Sequence, residues 1–199
     1  IGLGDMGSGL AKNLIKNGFT VKGADLLPAR QLAFEAIGGQ LCSNPAEVGR
    51  DVNAVFVMVM KGNEVKNVIF DSDGLLTTMS KGGSIMLSAT IKPSEAREIG
   101  DGMAGSGIHL IDTPVSGGFP GAQSGTLTLM AAAPASTLDE FAPIMEAVSA
   151  NIHRVGTNPG DGQTVKACLQ SLIGAQFSAT FEAAALAAKA GVPGQVLLD

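Results

Sequence analysis

The sequence predicts an α/β fold: an open, doubly wound, mainly parallel sheet that gives way to one very long helix. Three observations carry this expectation. Short apolar runs alternate with helical stretches over the first three quarters of the chain, as repeated β-α units do. The run Ala54-Val-Phe-Val-Met-Val-Met60 is apolar at every position, as a parallel strand covered on both faces requires. Beyond Gly160 the alternation stops, and a proline-free stretch rich in Ala, Leu, Gln, Lys and Glu continues to Gly191, a composition that favours helix.

Ile1-Gly2-Leu3-Gly4 reads as the end of a strand whose start is missing, and Val196–Asp199 stops within an apolar segment. The expectation is therefore a piece of a longer chain. Gly2-Leu3-Gly4-Asp5-Met6-Gly7 has the G-x-G-x-x-G spacing and opens a helix, Ser8–Asn17, closed by Gly18. A strand, Phe19–Ala24, follows, and Asp25 ends it about twenty residues beyond Gly4, which is the dinucleotide fingerprint in its required context. The first glycine permits the tight turn, the second lets backbone approach a pyrophosphate, and the third allows close packing. A carboxylate at position 25 accepts hydrogen bonds from ribose hydroxyls and repels a 2′-phosphate, which favours NAD over NADP. This first unit is of Rossmann type.

The next elements are helix Pro28–Ile37, strand Gln40–Cys42, helix Pro45–Gly49 and strand Asn53–Met60. Val59 and Met60 stand at the carboxyl end of that strand, where ligands bind in open α/β sheets. Helix Glu64–Phe70 and strand Ser84–Ser88 follow. Thr90 lies at the same sheet edge, either reaching toward the nicotinamide end of a cofactor or beginning the Ile91-Lys92-Pro93 turn. Helix Pro93–Gly105 and strand Ile108–Ile111 lead to Asp112-Thr-Pro-Val-Ser116-Gly117-Gly118. The Ser-Gly-Gly is either an anion-binding set of hydroxyl and bare N–H groups or a plain glycine turn. Strand Thr126–Ala133, helix Thr137–Val148 and strand Asn151–Val155 complete the alternation. Gly156–Gly162 reads as a linker dividing residues 1–160 from 161–199. The last helix is expected from Gln163 to Ala190, about 42 Å at 1.5 Å per residue. Lys166 and Gln170 share a face near its start. Lys166 falls in its first turn, close to the positive pole: a solvated lysine, or one held there for a reason.

Composition narrows the function classes. A formal net charge of −5 with no Trp and no Tyr argues against nucleic acid and anionic membranes as partners. Cys42 and Cys168 match no metal or redox spacing and read as reduced, buried thiols. His109 and His153 are isolated and read as structural. No apolar run reaches membrane-spanning length, no signal-like segment is found, and no metal is expected. A cytoplasmic location fits these features.

Three motifs, Gly2–Gly7, Asp112-x-Pro-Val-Ser-Gly-Gly-x-x-x-Ala-x-x-Gly-x-Leu127 and Gly160-x-Gly162-x-x-x-Lys166, stand in this order. Together they resemble the β-hydroxyacid dehydrogenase family over essentially the whole chain, with the feel of its four-carbon sugar-acid (L-threonate) branch. The resemblance implies a Rossmann-type domain followed by the start of an all-helical domain that mediates homodimer or homotetramer formation. It implies NAD-dependent, reversible oxidation of a small 3-hydroxy acid such as 3-hydroxyisobutyrate, glycerate or L-threonate. Lys166 is then the general acid/base. Ser116, Gly117, Gly118 and Gln170 contact the substrate. Gly2, Leu3, Gly4, Asp5, Met6, Gly7, Asp25, Val59, Met60 and Thr90 hold the cofactor. Two positions depart from the family pattern: Gln170 replaces the usual Asn, and Ala89 replaces a frequent Ser. The rival readings are a dinucleotide-binding scaffold without catalysis and a reductase of the 6-phosphogluconate dehydrogenase or imine reductase kind. Retention of Lys166 with Ser116-Gly117-Gly118 opposes the scaffold, Asp25 opposes the NADP-preferring 6-phosphogluconate enzymes, and Lys166 opposes the imine reductases.

Overall fold

A computed structural model describes residues 1–198. The chain divides into two compact units, Ile1–Val165 and Lys166–Asp199. In the first unit the elements run α1 (Asp5–Lys16), β1 (Lys22–Gly23), α2 (Pro28–Ala36), β2 (Gln40–Leu41), α3 (Pro45–Gly49), β3 (Ala54–Val57), α4 (Gly62–Phe70), β4 (Ser84–Leu87) and α5 (Pro93–Gly102). They continue with β5 (His109–Asp112), β6 (Val115–Ser116), α6 (Gly118–Ser124), β7 (Leu127–Ala132), α7 (Ala135–Glu140), α8 (Ala142–Glu146) and β8 (Ser149–Gly156).

β1 and β2 pair in parallel, and a six-stranded sheet has the order β3-β4-β5-β7-β6, with β8 also on β7. The β3–β4, β4–β5 and β7–β8 pairs are parallel, whereas β7 is antiparallel to β5 and β6. Ile1 and Gly2 run between the two sheets: Met58 N–H donates to the Ile1 carbonyl at 2.9 Å, and Gly2 N–H to the Ala24 carbonyl at 3.0 Å. Strand side chains alternate between two cores. Phe56, Met86 and Ile111 join Leu10, Leu14, Leu138 and Met145 on one face. Val55, Val57, Ile85 and Leu87 join Val65, Ile69, Ala96 and Ile99 on the other. Apolar residues at every strand position thus cover both faces with helices, which is the doubly wound arrangement.

Several expected boundaries move. α1 begins three residues before Ser8, directly from the fingerprint turn. The expected Phe19–Ala24 strand pairs only over Lys22–Gly23, because its partner β2 offers two residues. The single helix expected over 137–148 is two, broken at Phe141. Pro143 explains the break, since a proline tolerates only the first turn of a helix and restricts the residue before it. β6 and α6 were not foreseen. Their residues, rich in Gly and Pro, have weak local propensity, and α6 is held by tertiary contact with α1. Asn13 Nδ2 donates to the Ala122 carbonyl at 2.8 Å, and a Cβ on Gly9 would stand 2.6 Å from that carbonyl.

The long helix, α9, spans Asp161–Lys189, two residues earlier at its start than expected. Its first turn lies in the first unit and the rest in the second, which adds a short α10 (Gly194–Leu198). Within the second unit Leu172, Phe177, Phe181 and Leu186 are all more than half exposed. Phe177 and Phe181 stack at 6.0 Å between ring centroids. Among the described residues no helix is long and apolar enough to cross a membrane.

Candidate active site

The fingerprint turn is built from close approaches. Gly2 has φ +82°, and a Cβ there would stand 2.5 Å from the Met58 carbonyl oxygen. A Cβ on Gly7 would overlap the Gly2 carbonyl. Gly4 differs: the nearest atoms to its Cβ position are those of the Arg30 guanidinium, at 3.4 Å, and no backbone is close. Two glycines are therefore required by the turn itself, and the third keeps space that the protein does not fill.

Asp25 is tied to this turn. Its Oδ2 accepts the Leu3 N–H at 2.7 Å, and its Oδ1 accepts the Leu27 N–H at 2.9 Å. Arg30, on α2, sets Nη1 3.5 Å from Asp25 Oδ2. Its cation beside the predicted ribose-binding carboxylate was not anticipated, because the two lie five positions apart in sequence and only the turn into α2 folds one onto the other. Asp5 is exposed and Met6 half-buried at the start of α1. Val59 and Met60 follow β3, with Met60 82% exposed, and the exposed Thr90 follows β4. The carboxyl edge of the parallel strands thus carries these three residues, as expected.

Ser116 ends β6, Gly117 takes φ +124°, and Gly118 begins α6. Ser116 is half-buried, and Gly117 and Gly118 are exposed. The segment is a strand end passing into a short helix rather than a plain glycine turn.

The Gly160-x-Gly162 pair meets backbone closely. Gly160 has φ +93°, and its Cβ would lie 2.8 Å from the Pro93 carbonyl oxygen. A Cβ on Gly162 would lie 2.5 Å from the Met130 oxygen and 2.8 Å from the Asp112 oxygen. The start of α9 is thereby seated against β5 and β7. Asp112 is fully buried and caps this helix from afar: Oδ2 accepts the Gly160 N–H at 2.8 Å and the Gln163 N–H at 3.1 Å. Burial raises the Asp112 pKa above the usual carboxylate range, and the hydrogen bonds from Gln163 and Gly160 oppose that rise.

Lys166 is only 7% exposed and has no hydrogen bond or ion pair among the described residues. Because α9 starts at Asp161, Lys166 is beyond the first turn, where the helix dipole has faded. Its pKa is lowered from the ordinary lysine value by burial. Lys166 is thus further from the helix pole than the sequence suggested, and Asp112 already sits on that pole. Gln170 is exposed one turn further along α9.

The thiols are free, but neither is buried: Cys42 is half-buried and Cys168 exposed. Cys168 is exposed on α9, where other apolar residues are exposed as well, so its type predicted burial wrongly. His109 meets Phe141 edge-on at 6.3 Å, and His153 is exposed on β8. Beyond the foreseen set, Asp112 and Gln163 form the polar centre of the unit. Buried hydroxyls of Ser88 and Thr113 also lack partners among the described residues, and the Leu87↔Asp112 register sets these two residues side by side.

Comparison with known proteins agrees with this architecture. The family model described as the NAD binding domain of 6-phosphogluconate dehydrogenase matches residues 1–156. The chain is similar to L-threonate dehydrogenase of Escherichia coli O6:H1, 36% identical over all of this chain and 66% of the relative. It is 34% identical to the 3-hydroxyisobutyrate dehydrogenase of Pseudomonas aeruginosa, again over 66% of that protein. The crystal structure of 3-hydroxyisobutyrate dehydrogenase from Salmonella typhimurium superposes with a TM-score of 0.90 at 35% identity, over 98% of this chain and 68% of the other. The chain spans just under two thirds of the length of the curated relatives it matches. By the family match over its first 156 residues and by these relatives, the chain belongs to the β-hydroxyacid dehydrogenases, with the NAD binding domain that the family shares with 6-phosphogluconate dehydrogenase.

Proposed function

We propose that the protein is an NAD-dependent oxidoreductase acting on a small 3-hydroxy carboxylic acid, with Lys166 as general acid/base. The observation that carries this reading is a buried lysine without a partner among the described residues. A lone ammonium inside a protein is costly, and a lysine with a burial-lowered pKa in a ligand-binding fold is a functional candidate.

The dinucleotide site is supported by the space left at Gly4, whose Cβ would meet no backbone. Gly2 to Gly7 would hold the pyrophosphate through N–H groups at the start of α1, and Asp25 the ribose. Val59, Met60 and Thr90 would line the path to the nicotinamide. Bound NAD supplies the hydride acceptor. The chain's own residues do the rest. Neutral Lys166 takes the hydroxyl proton as the alcohol carbon becomes a carbonyl, and returns it in the reverse direction. The Ser116 hydroxyl and the Gly117 and Gly118 N–H groups hold the substrate carboxylate and orient the reacting carbon. Gln170 donates to a substrate hydroxyl. The names of the relatives point to L-threonate or 3-hydroxyisobutyrate as the class of substrate.

A pH profile tests the proton role. The base form drives oxidation, so its rate should rise with pH through a midpoint below the ordinary lysine range, while reduction should fall over the same window. Lys166→Arg, charged at every accessible pH, should lose the oxidative limb. Oxidation that keeps this limb in Lys166→Arg would exclude Lys166 as the base.

The helical unit is proposed to build a homodimer or homotetramer. Leu172, Phe177, Phe181 and Leu186 are exposed on different sides of α9, and a helix apolar all round is one that other chain segments cover. Light scattering should then report more than one copy per particle; a monomer at micromolar concentration would contradict it.

A further inference from the structure

Gln163 is 1% exposed, and its side chain bonds only to groups distant in sequence. Oε1 accepts the Ile91 N–H at 3.0 Å. Nε2 donates to the Ala89 carbonyl at 3.0 Å and to Asp112 Oδ1 at 3.0 Å. Chemistry fixes the orientation of this amide. Turning it over would face N–H against N–H at Ile91 and oxygen against oxygen at Ala89 and Asp112. All the hydrogen-bonding capacity facing those three groups is used.

Ala89 and Ile91 flank Thr90. The Gln163 amide therefore pairs with the backbone on both sides of Thr90 as a neighbouring strand would, while the threonine itself stays exposed. The same Asp112 carboxylate that accepts Nε2 also accepts the Gly160 and Gln163 backbone N–H groups. One side chain thus joins the loop after β4, the end of β5 and the first turn of α9. Lys166 is three residues further along that helix and on the same side. Glu at position 163 would supply no donor to Ala89 and would repel Asp112. Asn would fall a methylene short, and Leu would leave the Ile91 N–H, the Ala89 carbonyl and Asp112 Oδ1 without this partner.

We propose that Gln163 is a positioning residue, whose single amide keys both the loop presenting Thr90 and the helix turn leading to Lys166. This rests on the reading of Thr90 and Lys166 as active groups. Burial is the one cause of the lowered Lys166 pKa, so loosening the first turn of α9 should admit water and let that pKa return.

The test uses amide hydrogen exchange and amine labelling by acetic anhydride, mapped to single residues, on the wild type, Gln163→Leu and Gln163→Asn. In the wild type the Ile91 amide should exchange slowly despite lying in a loop. In Gln163→Leu its exchange should accelerate about tenfold or more. The pH midpoint for Lys166 labelling should rise toward the ordinary lysine value, with the extent of labelling at Lys189, at the far end of α9, as the control for reagent. If Gln163→Leu does not fold, Gln163→Asn, which retains an amide, carries the same comparison. Rapid Ile91 exchange in the wild type overturns the proposal. So does a folded variant whose Lys166 midpoint stays where it was. Neither readout needs turnover, so an active Lys166→Ala enzyme would remove the catalytic reading and leave this clasp standing.

Discussion

Lys166→Ala is expected to lower turnover of a 3-hydroxy acid by about 10²–10⁴-fold, the range supplied by a positioned general acid/base. Dinucleotide affinity should change little, because the residues assigned to the cofactor lie on the fingerprint turn and on the loops after β1, β3 and β4. The substitution removes a buried amine that has no bonded partner among the described residues, so the fold should tolerate it. Steady-state kinetics and calorimetric titration with NAD, on one preparation, separate the two effects. A loss confined to affinity would place Lys166 in the cofactor site and take away its proton-transfer role.

The second large effect distinguishes two glycines of one motif. Gly7→Ala places a methyl group on the Gly2 carbonyl, and the turn has no flexible atom to move aside. It should destabilise the protein by about 1–3 kcal/mol or more, lowering Tm by roughly 2–12 °C for a domain of this size, with dinucleotide binding lost as well. Gly4→Ala meets only the end of the Arg30 side chain at 3.4 Å, and a guanidinium can swing away. Tm should stay within about a degree, while NAD affinity falls tenfold or more, since the methyl group occupies space that the backbone leaves for the pyrophosphate. Thermal unfolding and titration of both variants decide this. Unimpaired NAD binding by a folded Gly4→Ala would show that the space at Gly4 serves something else.

Much of this architecture was legible because it rests on local signals. Pro28 and Pro45 start α2 and α3 where an N-terminal proline should. The continuous apolar run Val55–Val57 announced a strand covered on both faces. The glycine spacing from Gly2 to Gly7 announced a strand-turn-helix. What escaped depends on contacts distant in sequence. α6 has poor helix formers and exists because Gly9 and Asn13 of α1 receive the Ala122 carbonyl. The Asp112–Gln163 clasp joins residues some fifty positions apart, and neither residue type alone signals it. Asp112 stood inside a recognised motif, and Gln163 lay between Gly162 and Lys166, yet only the fold shows that they bond. The distance of Lys166 from the helix pole was misjudged for a related reason. A helix start placed two residues late brought the lysine too close to the pole, and burial cannot be read from a single position in a chain.

The most direct measurement of the central assignment is chemical rescue of Lys166→Ala by small primary amines. If an amine at position 166 moves the proton, added methylamine or ethylamine should restore part of the oxidation rate. The restored rate should follow the concentration of free base and vary with amine pKa along a Brønsted line. An alanine variant that turns over like the wild type with no amine present would contradict the account.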